Sequence, residues 1–201
     1  MIRRCTGIYW EMGYISEEAK QEIIKRYSPQ RYEHVKNVIE LAIHLAERHS
    51  ADGEKAYVAA LLHDIAKDME VKDMVKMLES ADIFIDKEYH TANILHGPCA
   101  AVIAYEDYDI DDEEILYAIY YHTFGRAGMG KMEKVIFIAD AAEKGRTYKN
   151  VGKIRKMMYK NLDEAVELSL SGTICHVLSK GEVLFPATAA ALEYFREKRV
   201  K

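Results

Sequence analysis

Leu61-Leu62-His63-Asp64-Ile65-Ala66-Lys67 sets two ionisable residues inside an apolar, Ala/Leu/Ile-rich run that reads as helix. Burying an imidazole and a carboxylate without partners costs on the order of several kcal/mol, so the pair predicts something to bind. If that partner is a metal ion, further ligands must come from elsewhere in the chain, and His34, His96, His122 and Asp140 are the candidates. Adjacent residues on a helix are splayed by about 100°. His63 and Asp64 are therefore expected to straddle a site, with Asp64 placed to bridge two ions.

Working outward from this stretch, the pattern is helical throughout. Ser16 opens a short helix to Tyr27, acidic at its start and basic at its end. Ser28-Pro29 supplies an N-cap and a first-turn proline for a helix to about Arg48, with His34, Val38, Leu41 and Leu45 on one face. After Asp52-Gly53, residues Ala56, Ala59, Ala60 and His63 form one stripe, small enough for neighbouring helices to approach closely. Val71 to Ser80 is amphipathic. His96-Gly97-Pro98 predicts a helix starting at Pro98 and reaching about Tyr105, leaving His96 on a loop end. Ile115, Ile119 and His122 share a face. A glycine-rich loop follows, from Thr123 to Gly130, and then a helix from Lys131 to about Glu143 with Met132, Val135, Ile136, Ala139 and Asp140 on one side. Helical patterns over 150–160 and 162–180, a stop at Gly181 and a last helix from Pro186 to about Lys198 complete the chain. No period-two run is sustained. The expectation is an all-α fold, a single compact multi-helix bundle over residues 16–201 behind an irregular lead-in at 1–15.

The chain has 201 residues, 49% hydrophobic and 30% charged, enough for one well-buried domain. Its formal net charge of -5 offers no general attraction to nucleic acid or an anionic membrane, so neither is an expected partner. Cys5, Cys99 and Cys175 are scattered, which argues against a disulfide framework or thiolate metal site and fits a reducing cytoplasm. No signal-peptide or membrane-spanning stretch is visible. A homodimer is left open.

Imidazole and carboxylate together suit divalent ions such as iron, manganese or zinc. Each histidine alone is better explained as a hydrogen-bonded core or surface side chain. Six residues from separate helices, the adjacent pair excepted, together point to metal instead. His44, His49, His90 and His176 lack such support and are assigned to the surface or to outer positions. Gly125-Arg126-Ala127-Gly128-Met129-Gly130-Lys131 has the glycine and lysine spacing of a P-loop, but Met132 stands where a magnesium-binding hydroxyl is needed and a helix precedes it. The basic-aromatic segment Lys144 to Tyr159 reads as a solvated helix face.

The order His34, His63-Asp64, His96, His122, Asp140 resembles the HD superfamily of metal-dependent phosphohydrolases. Together with Arg31-Tyr32-Glu33-His34, Tyr121-His122-Thr123-Phe124-Gly125-Arg126 and Glu133-Lys134-Val135-Ile136-Phe137-Ile138-Ala139-Asp140, it resembles more closely the bacterial YqeK-type family of symmetrical bis(5′-nucleosyl)-tetraphosphatases. The resemblance implies a helical domain holding a di-iron or similar dinuclear centre, manganese or other divalent ions being alternatives, and hydrolysis of diadenosine tetraphosphate to two ADP. It implies that His34, His63, Asp64 and Asp140 hold one ion, and Asp64, His96 and His122 the other. The family follows its last aspartate with Asp-Tyr-x-Glu-Pro-x-Arg, whereas Ala141-Ala142-Glu143-Lys144-Gly145-Arg146 keeps the Glu and Arg but lacks the Tyr and Pro.

On this reading Asp64 and Lys67 act in catalysis. Lys67, three residues after Asp64, is expected either to contact phosphate or to pair with Asp64. Arg126, on a loop flanked by glycines, is expected to grip phosphate through its planar fork. Arg31 and Arg146 are further phosphate candidates. The alternatives are an HD-type nucleotidase or deoxynucleotide phosphohydrolase, a di-iron oxygenase with the same ligand order, and a nucleotide-sensing module without catalysis.

Overall fold

The computed structural model describes residues 13–200. Most of the expected lead-in lies outside the described residues. Ten α-helices and one 3₁₀ turn, Lys87–Tyr89, are formed among those described, and no strand. The helices are α1 (Glu17–Arg26), α2 (Pro29–Arg48), α3 (Gly53–Leu62), α4 (Val71–Ser80), α5 (Ala92–Tyr108), α6 (Glu113–Tyr121), α7 (Lys131–Ala142), α8 (Val151–Met157), α9 (Leu162–Ser179) and α10 (Pro186–Val200).

The caps are those the sequence advertises. Ser16, Ser28 and Asp52 each accept backbone N–H bonds at the head of a helix, and Pro29 sits in the first turn of α2. α3 and α7 are apolar almost all round and therefore central. Val58 to Leu62 and Val135 to Ala139 are buried without a break. α2 and α6 pack on both of them, α5 packs on α6 with α4 outside it, and α9 covers α7 and carries α8 and α10. No described helix is long and apolar enough to cross a membrane.

Two local expectations are corrected. α3 ends at Leu62, with His63 as its C-cap. The next residues form a tightened turn in which Ile65 N–H donates to Leu62, Lys67 to Asp64 and Met69 to Ala66, so the His63-Asp64 pair follows the helix rather than lying within it. His96, expected on a loop, lies in α5, which Thr91 caps from well upstream by accepting from Ile94 N–H. Pro98 is inside this helix and forgoes one ladder bond. Gly97 explains why the segment is retained as helix against α6. A Cβ there would stand 2.7 Å from the Tyr120 carbonyl oxygen, so only glycine allows this approach.

Candidate metal centre and adjoining cavity

Five elements deliver the six residues singled out above. His34 comes from the second turn of α2, His63 caps α3 with Asp64 behind it, His96 lies in α5, His122 caps α6, and Asp140 lies in the last turn of α7. Asp64 is buried at the centre. Its Oδ2 is 3.7 Å from both His34 Nε2 and His63 Nε2, while its Oδ1 is 3.2 Å from His96 Nε2 and 3.8 Å from His122 Nε2. His34 Nε2 is 3.1 Å from Asp140 Oδ1. The ligand atoms of His34, His63 and Asp140 lie within 4.8 Å of one another, as do those of His63, Asp64 and His122. One carboxylate thus faces two sets of imidazoles.

The ring tautomers follow from the partners. Nδ1 of His63 lies 2.6 Å from the Ala60 carbonyl, that of His96 lies 2.7 Å from Ala92, and that of His122 lies 2.7 Å from Ile119. A carbonyl can only accept, so each Nδ1 carries the proton and each neutral Nε2 presents a lone pair. Burial pushes His63 and His96 down to about 4, which keeps both neutral at pH 7. His96 Nε2 and His122 Nε2 nevertheless face each other at 2.9 Å. Thr123 Oγ1, 3.3 and 3.2 Å from the two nitrogens, has one hydrogen to give and serves only one of them. His34 Nε2 and His63 Nε2 are buried without a hydrogen-bond partner, the short approach of His34 to Asp140 being misdirected for one. Opposed lone pairs at this spacing are repulsive unless a cation lies among them. The donor set therefore fits divalent metal.

Backbone electrostatics point the same way. His63 and His122 stand at the C-terminal ends of α3 and α6, and Asp140 in the last turn of α7, where partial negative charge favours a cation. Burial alone would raise the Asp140 carboxyl, but His34 and Arg146 hold it far below the usual carboxylate range. Asp64 is likewise held low against its burial, with the Arg31 guanidinium beside it.

Three cations surround this cluster. Arg31 Nη1 donates to Asp64 Oδ2 at 2.8 Å, and Arg146 donates to the Asp140 carboxylate and, through Nε at 2.9 Å, to its carbonyl. Lys67 Nζ reaches Asn93 Oδ1 at 3.3 Å and stands 3.4 Å from both nitrogens of His96, not on Asp64 as a structural pair would require. Its burial lowers its pKa. The expected role of Arg126 is corrected. Its fork is taken by Glu133, with Nε–Oε2 at 2.7 Å and Nη2–Oε1 at 2.8 Å, and it packs over the rings of Tyr117 and Tyr121. Glu133 is fixed there because Oε1 also accepts from Gly130 N–H at the head of α7.

Sequence reasoning noted Glu143 only as a retained residue and missed its contact: it is buried and lies 3.4 Å from His34 Nδ1, taking the part that backbone carbonyls play for the other three rings. It also missed a cavity of about 720 Å³ that opens beside the cluster at His122, Thr123 and Asp140 and runs between α7, α8 and α9. Lys149 and Lys153, assigned from sequence to a solvated face, line it together with Arg146. His176 and Cys175 are exposed on its far wall, while His44 is exposed, His49 bonds the Met158 carbonyl and His90 that of Ile85.

Comparison with known proteins agrees with this arrangement. Residues 31–145 match the HD domain family, a span that includes all six clustered residues. A Staphylococcus aureus protein named "Bis(5′-nucleosyl)-tetraphosphatase, symmetrical" is 36% identical over 189 residues, covering 92% of this chain and 97% of that protein. A Bacillus subtilis protein of the same name is 35% identical over 172 residues, covering 86% and 92%. A crystal structure from Clostridium acetobutylicum, described as a predicted HD superfamily hydrolase involved in NAD metabolism, superposes with a TM-score of 0.86 at 33% identity over 89% of this chain and 95% of that one. The chain therefore belongs to the HD domain family, beside relatives named symmetrical bis(5′-nucleosyl)-tetraphosphatases.

Proposed function

We propose that this protein hydrolyses a dinucleoside tetraphosphate at its central anhydride, releasing two nucleoside diphosphates. The relatives carry that activity in their names and match the chain almost end to end. The observation that makes it chemically workable is the facing of His96 Nε2 and His122 Nε2 beside Asp64, a donor set that asks for divalent cations. His34, His63, Asp64 and Asp140 would hold one ion and Asp64, His96 and His122 a second, with iron the expected metal and manganese or another divalent ion an alternative. When bound, such a pair supplies Lewis acidity and a water acidified toward neutral pH.

The chain's own residues handle the substrate. Asp64 keeps both imidazole sets in register through its two oxygens. Arg31 and Arg146, which pair with Asp64 and Asp140, would bind phosphate oxygens as charge-assisted donors through their remaining N–H groups. Lys67 provides a further cation beside His96, able to counter charge that develops on the leaving diphosphate. The described cluster offers no serine or cysteine as nucleophile, and attack by water needs none.

The test is anaerobic purification with metal analysis, followed by incubation with diadenosine tetraphosphate and a panel of mononucleotides. Release of two ADP per substrate, with incorporation of one oxygen from labelled water, is expected. Release of inorganic phosphate from mononucleotides without cleavage of the dinucleotide would replace the proposal with a nucleotidase. Strictly oxygen-dependent product formation would replace it with an oxygenase.

A further inference from the structure

The turn that follows α7 aims two side chains at the cluster, with little support from its own backbone. α7 ends at Ala142, and no residue from Glu143 to Arg146 adopts the left-handed geometry through which a helix end closes on its own carbonyls. A single backbone bond spans the turn, from Arg146 N–H to the Glu143 carbonyl at 3.0 Å. Yet Glu143 is buried beside His34, its Oε2 accepting from Gly145 N–H, and Arg146 reaches back to both the carbonyl and the carboxylate of Asp140. Gly145 permits this fold-back, since a Cβ there would stand 3.0 Å from both Glu143 carboxylate oxygens.

Arg155, in the last turn of α8, supplies what that backbone lacks. Its Nε donates to the Ala142 carbonyl at 2.9 Å, and the two hydrogens of its Nη2 serve the carbonyls of Glu143, at 2.5 Å, and Arg146, at 2.8 Å. Two of these oxygens belong to the end of α7 and the third to the far side of the turn, so one planar fork ties both ends together. Arg155 is half-buried, and among the described residues no carboxylate lies within ion-pair distance of it. Its neighbours Lys153 and Ile154 line the cavity, whereas Arg155 does not. Neither charge pairing nor contact with a bound molecule accounts for it.

We propose that Arg155 is a positioning residue for phosphate binding by Arg146. By clamping the carbonyls of Ala142, Glu143 and Arg146 it fixes the turn, so that Arg146 stays on Asp140 with its remaining N–H groups held in one place. Arg155 acts through Arg146 and touches no substrate. The role needs a guanidinium, because a lysine is a point charge on a flexible stem and does not span three oxygens in a plane. A contact that merely stabilised α8 would matter equally whether or not Arg146 were present, whereas a clamp loses its effect on substrate once Arg146 is gone. This assignment rests on the hydrolase reading for its effect on turnover, but the clamp itself can be tested without substrate.

The test follows hydrogen exchange of the Arg146 Nε–H, which donates to the Asp140 carbonyl, by NMR on full-length zinc-loaded protein, with steady-state kinetics on diadenosine tetraphosphate alongside. Arg155→Lys keeps the charge and loses the fork. Exchange at Arg146 Nε–H should speed up by about tenfold or more while the amides of Val135 to Ala139 stay protected, and KM should rise by about tenfold with kcat less affected. Arg146→Lys should raise KM likewise, and the double variant should be no worse than the worse single one. Arg155→Gln, whose amide nitrogen can keep two of the three bonds, takes the place of the lysine variant if that protein does not fold, with the same direction of change. Fully additive KM penalties, or an Arg146 Nε–H as protected in the Arg155 variant as in wild type, would overturn the proposal. If wild type fails to split the tetraphosphate while the Arg155 variant exposes Arg146 Nε–H, the clamp stands and the proposed reaction falls.

Discussion

At the level of single residues, Asp64 does the most because each of its oxygens faces a different pair of imidazoles. Asp64→Ala should lose bound metal and lower kcat/KM by on the order of a thousandfold or more while keeping a helical circular-dichroism spectrum. Metal analysis with turnover checks this, and full activity in a metal-free Asp64→Ala protein would refute the proposed chemistry. Arg126→Ala is expected to behave differently. The residue is bonded to Glu133, so its loss should destabilise the protein by about 1–3 kcal/mol, read by urea denaturation, with KM nearly unchanged. The clustered residues were legible in the sequence because a histidine or aspartate on an apolar stripe is an anomaly that demands a partner. Arg126 was misread because the partner that engages it, Glu133, is set by the cap geometry at Gly130, which a glycine-rich sequence does not disclose. Glu143 was visible as a retained residue, but its proximity to His34 depends on the chain turning back after α7.

Among the elements, α5 and α6 must approach closely for His96 and His122 to face each other. Gly97→Ala puts a methyl 2.7 Å from the Tyr120 oxygen, and the backbone must yield. An overpacking loss of about 1–3 kcal/mol is expected, with weaker metal retention as the two rings part. Unchanged stability and metal affinity would show that α5 can shift without disturbing the pair. Helix content and most helix ends were readable from caps and apolar stripes. The start of α5 was not, because proline after glycine looks like a helix opening while Thr91, seven residues before Pro98, provides the actual cap. Gly97 resembles punctuation in the sequence and is a contact surface in the fold.

For the molecule as a whole, acid should be destabilising in metal-free protein. His63 and His96 titrate near 4 when folded and near about 6.5 when unfolded, so the unfolded chain takes up more protons between those values. Stability therefore falls as pH drops from about 6.5 toward 4, by up to about 3 kcal/mol for each imidazole. The depressed carboxyls of Asp64 and Asp140 act in the same direction at lower pH, since their stabilisation is lost as they protonate. Urea midpoints at pH 7 and pH 4.5 should separate accordingly, and coincident midpoints would contradict neutral, buried imidazoles. The helical bundle follows from composition and period, but the cavity does not. Its walls come from α7, α8 and α9, and a space between elements leaves no trace in the spacing of any one of them.

The C-terminal ends of α3 and α6 and the last turn of α7 meet at this centre. Their attraction for a cation comes from aligned peptide groups, which exchange no proton in the range where imidazole titrates. The backbone thus contributes a field that pH does not alter, and acid can expel a metal only through the side chains. An Asp or His variant that weakens binding should shift the acid limit of metal retention, while changes at the helix ends should alter affinity equally at every pH.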